Sequence, residues 1–461
     1  MKAINLDSIV SPWPGYPQAV TAGGFCFLSG TMALNKVGDL ISGWEDLPQK
    51  GSLMASKFSS VDALEGPIGA HTWLTYHQME LLLASIDGTI DDLLRIHIYQ
   101  KDKRFFPVFE KVRISYEPKT PVPSSGLGVS GGSPDGNAWV VIDGISIAPK
   151  EWKFKGRRDV LRSPGALASA SHYSQGVEAG PYIFLAGQIP IDTSKPGKPL
   201  VRTYEDIPEE GRFLQTGRSH TDTRNGPIAA QTWFTYDHIR RILTGANSSM
   251  EEIVKVTVFL QDMRDFHTFH EVHKHFFPNS LPALTVTEFR EVGHRGTLIE
   301  IEVTAMRPSG GLERKEIREA GPIKSGAHSA LAVVAGKLIY VSGQSGVDSS
   351  GRAIKELTTL PQALRPNAAS LVRATGCLEA TLQAITIFEN LKSILKEAGA
   401  TLSSLSRIIL YLEDFRDFTA FDMVCKHYCP GPKPALACIT IPKVSPVPGA
   451  QICVEAIAVK E

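Results

Sequence analysis

The sequence predicts an α+β protein built from three consecutive copies of one domain, which would form a trimer-like ring within a single chain. The first observation is a segment that occurs three times, as DDLLRIHIYQKD, EEIVKVTVFLQD and SSLSRIILYLED, ending at Asp102, Asp262 and Asp414. The offsets, 262 − 102 = 160 and 414 − 262 = 152 residues, are those of a domain and exceed the roughly 20–50-residue period of solenoid repeats. The second observation is that strand-type and helix-type patterns alternate in the same order within each copy.

The domain organisation follows from these offsets. We expect domains over residues 1–150, 158–309 and 315–461, with linkers near 150–165 and 308–325 that carry proline, glycine and charge. A chain of 461 residues, 43% of them hydrophobic, is long enough for three cores at about 150 residues each. Because joined copies need not stay identical, the clefts between them can carry different side chains.

Each copy begins with a predicted strand hairpin, followed by a long polar segment and a helix. Glycine turns followed by β-branched and aromatic residues mark the hairpins at 22–30, 179–187 and 335–343. In the third copy, apolar residues between Leu378 and Leu395 recur at steps of three and four, which predicts an amphipathic helix. In the first two copies, Pro67 and Pro227 fall in the first turn of this helix, where proline is tolerated.

The second half of each copy predicts a strand, a second helix and a final strand. Valines at 254, 256 and 258 alternate with polar or aromatic residues, as in a strand. Second helices are expected near 105–116, 266–277 and 418–428, and final strands near 140–145, 299–304 and 452–457. The resulting order, β-β-α-β-α-β, is typical of an α+β domain with helices on one face of a sheet.

Charge and composition exclude several classes of partner. Lys plus Arg and Asp plus Glu both number 48, so nothing indicates binding to nucleic acid or an anionic membrane. No apolar run approaches the ~20 residues of a membrane span, and the N-terminal segment does not have the pattern of a signal peptide. The six cysteines form no repeated disulfide pattern and nothing matches a zinc signature, so we expect a cytoplasmic protein without metal or cofactor. The sequence leaves a homodimer open.

Three segments carry a resemblance to a known family: Lys433-Pro-Ala-Leu-Ala-Cys438, Tyr173-Ser-Gln-Gly-Val177 and Ala186-Gly-Gln-Ile-Pro190. They resemble the RidA/YjgF family, also called the L-PSP endoribonuclease-like family, and the resemblance extends over nearly the whole chain. It implies chorismate-mutase-like domains, each a mixed sheet with two helices on one face. It also implies a pseudo-trimer whose sheets line a central β-barrel, with small-molecule pockets between neighbouring copies. Members of this family hydrolyse enamines and imines to ketones and ammonia.

The sequence departs from the family where its members hold a substrate carboxylate. An Arg directly after Pro-Ala makes that bidentate contact in the family. Here we place Ser125, Leu284 and Leu436 at this position in the three copies, so the usual carboxylate contact is missing. The candidate substrate-binding residues are Tyr16, Ser29, Ser125, Leu284, Ser342, Leu436 and Cys438.

Acidic residues on the last strand are the first candidates for catalysis. Glu300 aligns with the family glutamate that handles a water, whereas Val141 and Cys453 take that place in the other copies. Glu302 lies two residues further on the same face and matches Asp143 and Glu455. Either acid could be a general base whose pKa is tuned by partial burial. The alternative is a structural role, in which the carboxylate is hydrogen-bonded within the sheet.

The second helix supplies further candidates. The family places an Asn in the pocket at the position held here by Glu110, His270 and Asp422, three different ionisable residues. Histidine titrates near neutral pH, and a carboxylic acid in an apolar cleft can have a raised pKa. Tyr173 matches the pocket tyrosine of the family and could donate to a carbonyl or imine nitrogen. Solvated residues on the helix surface are the alternative for the three ionisable positions.

These residues together predict a hydrolase for C–N bonds in a small, planar, nitrogen-containing metabolite. The expected activity is that of an enamine/imine deaminase or an aminomuconate-type variant, with one or two of the three clefts active. One alternative is a small-molecule-binding protein without activity, since every copy lacks the Arg. The other is a cyclic-amide hydrolase with Ser29 or Ser342 as nucleophile, which requires an adjacent base such as a lysine.

Overall fold

Three mixed sheets with one shared strand order dominate the structure, a computed structural model that describes residues 1–57, 65–117, 121–130, 134–159 and 167–460. In each sheet the last strand of the copy lies antiparallel between the hairpin and the strand that follows the first long helix. A further strand extends the sheet in parallel, as expected when a helix connects two neighbouring strands. The architecture is therefore α+β, as predicted.

The first sheet has the order β1-β2-β3-β6-β4-β5 and also takes up the short β12 from the second copy. Its strands are β1 (Lys2–Ile4), β2 (Ala19–Ala22), β3 (Phe25–Met32), β4 (Leu93–Gln100), β5 (Ser124–Gly128) and β6 (Val140–Ile147). The helices of this region are α1 (Gln49–Ser52), α2 (Glu65–Ala84) and α3 (Phe106–Tyr116).

The second sheet has the order β11-β10-β13-β9-β8-β7. The strands of this copy are β7 (Arg157–Asp159), β8 (Gly176–Ala179), β9 (Tyr182–Leu185), β10 (Ile253–Leu260), β11 (Ala283–Glu288), β12 (Glu291–Val292) and β13 (Ile299–Met306). Its helices are α4 (Ser219–Gly245) and α5 (Phe266–Phe276).

The third sheet has the order β14-β17-β18-β21-β19-β20, and β15 pairs with β16 in a separate two-stranded sheet. The strands are β14 (Arg314–Ile317), β15 (Glu319–Ala320), β16 (Ile323–Lys324), β17 (Ala332–Ala335), β18 (Leu338–Ser345), β19 (Leu405–Leu412), β20 (Ala435–Thr440) and β21 (Ile452–Val459). The helices are α6 (Arg365–Thr375), α7 (Leu378–Glu397) and α8 (Phe418–Tyr428).

The structure adds two strands to the predicted order in every copy, besides the short β12 in the second copy and β15 and β16 in the third. A short edge strand precedes each hairpin, and a parallel strand follows each second helix. The edge strands β7 and β14 fall within the segments expected to be linkers, where their charged residues concealed a strand pattern. All three second helices lie within a residue or so of their predicted bounds. Over the described ranges the ladders of paired strands have open edges, and no single sheet closes into a barrel.

The hydrophobic core has parts within each copy and parts shared by all three. The first long helices pack on their own sheets; in α7 the predicted stripe is buried from Leu382 to Leu395, whereas Leu378 at its first turn is 46% exposed. A shared cluster contains Tyr99 from β4, Phe259 from β10 and Tyr411 from β19. These aromatic residues occupy equivalent strand positions, so the copies meet through their sheets.

Buried ion pairs connect the three sheets in a cycle. Each pair joins a basic residue on the strand after the first long helix to an acidic residue on the last strand of another copy, and the pairs are Arg95 with Glu302, Lys255 with Glu455 and Arg407 with Asp143. The first two pairs have N–O distances of 3.0 Å. Isolated charges in such a dry interior would be costly, so each partner requires its counterpart. The described part of the chain includes no helix of the length and apolarity that crossing a membrane requires.

Candidate active site

A cavity of about 510 Å³ lies between the first and second sheets. Helix α3 and strand β5 form one wall, and the segment around Tyr173, the end of β9 and strand β13 form the other. Several polar and charged side chains converge on it, which is typical of a ligand site. They include Lys103, Arg113, Ser124, Ser171, Tyr173, His294, Thr297 and Glu300.

Glu300 is the central ionisable group of this cavity. It lies on β13 with only 2% of its surface exposed, and its Oε2 accepts a hydrogen bond from the Gly293 N–H at 3.0 Å. A Cβ atom at Gly187 would lie 1.9 Å from Glu300 Oε1, so only glycine leaves room for the carboxyl group. Burial raises the pKa of Glu300 to about 7, although Lys103 and the Gly293 N–H act in the opposite direction.

Lys103 provides a cation beside this acid. It follows the repeated segment, in the turn before α3, and its Nζ donates to the carbonyl oxygens of Gly126 and Gly293, each at 2.6 Å. Burial lowers the pKa of Lys103, while Glu300 and Glu291 favour its charged form. The cavity therefore holds an acid and a base whose environments bring their pKa values closer together.

Arg113 enters the same cavity from helix α3. It is 1% exposed, and its guanidinium donates to Glu117 Oε2 at 3.1 Å, to Ser124 Oγ at 3.0 Å and to the Val122 carbonyl at 2.6 Å. A planar guanidinium held on several sides is well suited to orient a polar ligand group. Its buried ion pair with Glu117 fixes its position.

The strand register corrects one predicted equivalence. Ser124 pairs with Ile96, just as Leu284 pairs with Val256 and Leu436 with Ile408. Ser124, and not Ser125, is therefore the counterpart of Leu284 and Leu436. The sequence comparison was shifted by one residue because it matched Pro123 to Pro282 and Pro434, whereas the strand register places Pro123 level with Ala283 and Ala435. Ser124 thus occupies the strand position at which the family resemblance predicts an arginine, and the Arg113 guanidinium donates a hydrogen bond to the Ser124 side chain.

Tyr173 lines the cavity as predicted for a pocket residue, whereas Glu110 holds the segment next to it. Burial raises the pKa of Tyr173 to about 12, so its hydroxyl keeps its proton at neutral pH. Glu110 accepts hydrogen bonds from the Ser171 hydroxyl and from the His172 N–H, the latter at 2.8 Å. Its carboxylate is engaged in positioning the residues before Tyr173.

His270 and Asp422 have comparable local partners in the other two copies. His270 Nε2 accepts a hydrogen bond from the His328 N–H at 3.1 Å. Asp422 forms ion pairs with Lys426 and with Lys433, the latter at 3.1 Å. The structure therefore does not bring Glu110, His270 and Asp422 into one site, and each connects its helix to nearby backbone or lysines.

Glu302 belongs to the buried network between the sheets. It contacts Arg95 and His97, both at 3.0 Å, and its Oε2 accepts a hydrogen bond from the Ser125 hydroxyl at 2.6 Å. Although burial acts in the opposite direction, these partners lower the pKa of Glu302 to about 2. A carboxylate that stays charged at every ordinary pH fits the structural alternative better than a general base. Ser125 points into this network.

The equivalent positions at the other two boundaries between copies, here called seams, carry different side chains. Between the second and third copies, Cys453 replaces Glu300 and His273 replaces Arg113. The His273 ring is hydrogen-bonded to the Tyr236 hydroxyl at 2.7 Å. Between the third and first copies, Val141 takes the place of Glu300. There the fully buried indole of Trp13 donates to the Gly30 carbonyl at 3.1 Å and packs on Phe418.

The remaining candidates for substrate binding lie at these two seams, between the second and third copies and between the third and first. Tyr16 is buried beneath Lys433, whose Nζ lies 3.9 Å from the ring centroid. The Ser29 hydroxyl donates to the Pro17 carbonyl at 2.6 Å and accepts the Leu436 N–H at 3.0 Å. Leu284 and Leu436 are themselves buried, as is Cys438, whose pKa is raised by burial.

Ser342 repeats the arrangement of Ser29 between the second and third copies. Its hydroxyl donates to the Ala330 carbonyl at 2.6 Å and accepts the Leu284 N–H at 2.8 Å. A nucleophilic serine needs a base that can take its proton, and a backbone carbonyl cannot. These two hydroxyls connect neighbouring copies, and the condition set for a cyclic-amide hydrolase is not met.

Comparison with known proteins identifies the family. The family model described as Endoribonuclease L-PSP matches residues 164–307 and again 319–460, which together are more than half of the chain. The chain belongs to the Endoribonuclease L-PSP family. The L-PSP matches cover the second and third copies, and the first sheet, outside them, has the same strand order.

Relatives of the chain are single-domain proteins of this family. A RutC family protein of Pyrococcus horikoshii is 32% identical over 150 residues, which are 32% of this chain and 98% of that protein. The 2-iminobutanoate/2-iminopropanoate deaminase of Mus musculus is 27% identical over 150 residues, 32% of this chain and 92% of that protein. Among solved structures, yeast Mmf1 is 25% identical with a TM-score of 0.25, covering 32% of this chain and 98% of Mmf1.

Lys103 and Arg113 were missed by the sequence-based prediction, as was His294 at the exposed mouth of the cavity. The sequence did contain a sign of this site, because Lys103 is charged whereas Met263 and Phe415, which the repeat offsets place at the same position, are apolar. Arg113 likewise corresponds to a histidine and a cysteine in the other copies. A search for charges present in one copy alone would have found both residues.

Proposed function

We propose that this protein is a hydrolytic deaminase for a small imine or enamine, acting in the cavity between the first and second copies. The observation that carries the proposal is Glu300, a buried carboxyl group with a pKa of about 7 at the wall of that cavity. Such a group exchanges its proton readily at neutral pH and is suited to general acid and base catalysis. The name of the mouse relative, an iminobutanoate and iminopropanoate deaminase, supports the same class of reaction.

The proposed reaction adds water to a C=N bond and then breaks the C–N bond. As a carboxylate, Glu300 accepts a proton from the attacking water while the oxygen bonds to the imine carbon and the C=N π electrons move to nitrogen. As a carboxylic acid, it returns that proton to the nitrogen, which gives a carbinolamine. Glu300 then takes the proton of the new hydroxyl group and passes it to the nitrogen, so that ammonia leaves as the C=O bond forms. Tyr173 and Arg113 hold polar groups of the substrate, as their positions in the cavity wall allow.

We also propose that residues 1–150, 158–309 and 315–461 form three domains arranged as an intramolecular pseudo-trimer. Support comes from the cycle of ion pairs, in which Arg95, Lys255 and Arg407 each contact the last strand of a different copy. The aromatic cluster shared by β4, β10 and β19 adds to it. In this arrangement the sheets surround a common centre in the manner of a barrel, and one of three seams is catalytic. The proposal includes a cytoplasmic location and no nucleic-acid partner.

Ammonia release tests the proposed activity. The substrates are simple enamines and the two compounds in the name of the mouse relative, 2-iminobutanoate and 2-iminopropanoate, which are generated in solution. We expect Glu300→Gln to lower the rate of ammonia release about 10²–10⁴-fold, as for loss of a general acid and base. His270→Asn, outside the cavity, serves as the matched control and retains the wild-type rate. Ligand binding without ammonia release by the wild-type protein would instead indicate a binding module.

A further inference from the structure

Lys103 has no counterpart in the other two copies. The repeat offsets place Met263 and Phe415 at its position, beside seams where Cys453 and Val141 replace Glu300. Of the three equivalent positions, the lysine therefore occupies the one next to the buried acid Glu300 and the cavity described above. A purely structural residue at this turn can be apolar, as the other copies demonstrate.

The contacts of Lys103 Nζ leave one tetrahedral position for a ligand. Nζ donates to Gly126 O and Gly293 O at 2.6 Å each, which accounts for two N–H groups. An ammonium group carries a third hydrogen, whereas a neutral amine satisfies both carbonyls and keeps a lone pair at the third position. Lys103, Gly126 and Gly293 all line the cavity, so a bound ligand can approach that position.

The surroundings make the proton of the Lys103 ammonium group easier to remove, and a group that can accept it lies in the same cavity. Burial disfavours the ammonium form of Lys103 and lowers its pKa, a known route to nucleophilic lysines. Glu300, in the opposite wall of the cavity, interacts electrostatically with Lys103, and its pKa is about 7. Two carbonyl oxygens hold the nitrogen in place without being able to take a proton from it.

We propose that Lys103 is a nucleophile that forms a Schiff base with the imine or carbonyl carbon of the ligand in this cavity. The substrate class rests on the proposed deaminase function. With a protonated imine, the Nζ lone pair forms the new C–N bond while the C=N π electrons move to the substrate nitrogen, which becomes an amino group. Glu300 passes one proton from Nζ to that nitrogen, and ammonia leaves as the Lys103 iminium forms.

Hydrolysis of the iminium completes the cycle. Water adds to the same carbon and Glu300 accepts one of its protons, which gives a carbinolamine on Nζ. Glu300 returns that proton to Nζ, and the C–Nζ bond breaks as the ketone forms and the hydroxyl proton passes to Glu300. The sum is imine plus water giving ketone plus ammonia, with Lys103 regenerated and no oxidant or reductant consumed. A carbonyl compound without an imine enters at the iminium by losing water, so a ketone is sufficient to detect the intermediate.

Reductive trapping tests the proposal. The full-length protein is incubated with 2-oxobutanoate and sodium borohydride, whose hydride reduces an iminium to a stable amine, and the adduct is located by peptide mass spectrometry. We expect adduct on Lys103 in the wild-type protein and in the control Lys101→Arg, a neighbour outside the cavity. Lys103→Met, which introduces the residue of the second copy, is expected to show none at this site.

A second variant tests whether Lys103 reacts as a nucleophile or only supplies a positive charge. Lys103→Arg keeps the cation near Glu300 but cannot condense with a carbonyl, so we expect ammonia release to fall about 10²-fold or more. Wild-type turnover without adduct on Lys103, or turnover by Lys103→Arg within about threefold of wild type, overturns this inference and leaves the deaminase proposal intact. Adduct on Lys103 without any ammonia release overturns the deaminase proposal and supports the nucleophile.

Discussion

Removing the charge of Glu300 should stabilise the folded protein at high pH and not at low pH. Glu300 is buried, and its pKa is raised to about 7 from the ordinary 4.5. Below the ordinary pKa, the folded and unfolded chains both hold the carboxyl proton, so a glutamine of the same shape changes little. Above pH 7 the folded protein carries a buried carboxylate that the unfolded chain keeps in water.

The size of the effect follows from this difference in pKa. A difference of one pKa unit between the folded and unfolded chain corresponds to about 1.4 kcal/mol. Ionisation of buried Glu300 therefore lowers the free energy of unfolding by about 3 kcal/mol above pH 7. The gain in Glu300→Gln will be smaller than this, because Lys103 then loses a nearby anion. We expect a stabilisation of roughly 1–3 kcal/mol that develops between pH 4.5 and 7 and stays constant above pH 7.

Thermal melting of wild type and Glu300→Gln across pH 4.5–8.5 measures this effect. A gain of this size raises Tm by several degrees, at about 2–4 °C per kcal/mol. Glu209→Gln, at an exposed position in the second copy, controls for loss of a surface charge. A Tm difference between Glu300→Gln and wild type that is flat over this pH range would refute the assignment of a raised pKa to Glu300.

Three further predictions concern packing around the seams. Gly187→Ala places a Cβ 1.9 Å from Glu300 Oε1, so we expect ammonia release to fall at least tenfold with the protein still folded by circular dichroism; unchanged kinetics would contradict the described packing. Lys255→Met leaves Glu455 unpaired and should cost about 3–5 kcal/mol in urea unfolding, whereas Lys255→Met/Glu455→Met should recover most of it. If the double variant is no more stable than the single one, the pairing is not the cause. Ser342→Ala should cost about 1–3 kcal/mol in the same assay while ammonia release is unchanged, and loss of turnover would reopen the serine-nucleophile hypothesis.

Much of the secondary structure could be predicted because local patterns determine it. The second helices and the last strands were predicted from the same order of segments in each copy, and their bounds agree closely with α3, α5, α8 and with β6, β13, β21. The edge strands β7 and β14 were missed because they are short and charged, and become strands only by pairing with a hairpin. Ser124 was misplaced by one residue, since strand register depends on the partner strand and not on the segment itself.

The candidate site was predicted less well for a related reason. Glu300 and Tyr173 were found by alignment of the copies, and both line the cavity. Glu302 was grouped with Glu300 because the two share a strand face, yet Arg95 and His97 hold it as a buried carboxylate. The partners that distinguish the two acids come from a different copy, about 200 residues away in the chain.

The sequence alone determined the α+β class, the segment that occurs three times and the positions at which the three segments differ, because periodicity, turn residues and repeat offsets are local or directly countable properties. Tertiary structure decided which differences matter. It buried Trp13 and His273 at two seams, formed a cavity at the seam between the first and second copies, and brought Lys103 and Glu300 to opposite walls of that cavity. Burial and neighbouring charge set the pKa of a group, and both are properties of the folded arrangement and not of the residue type.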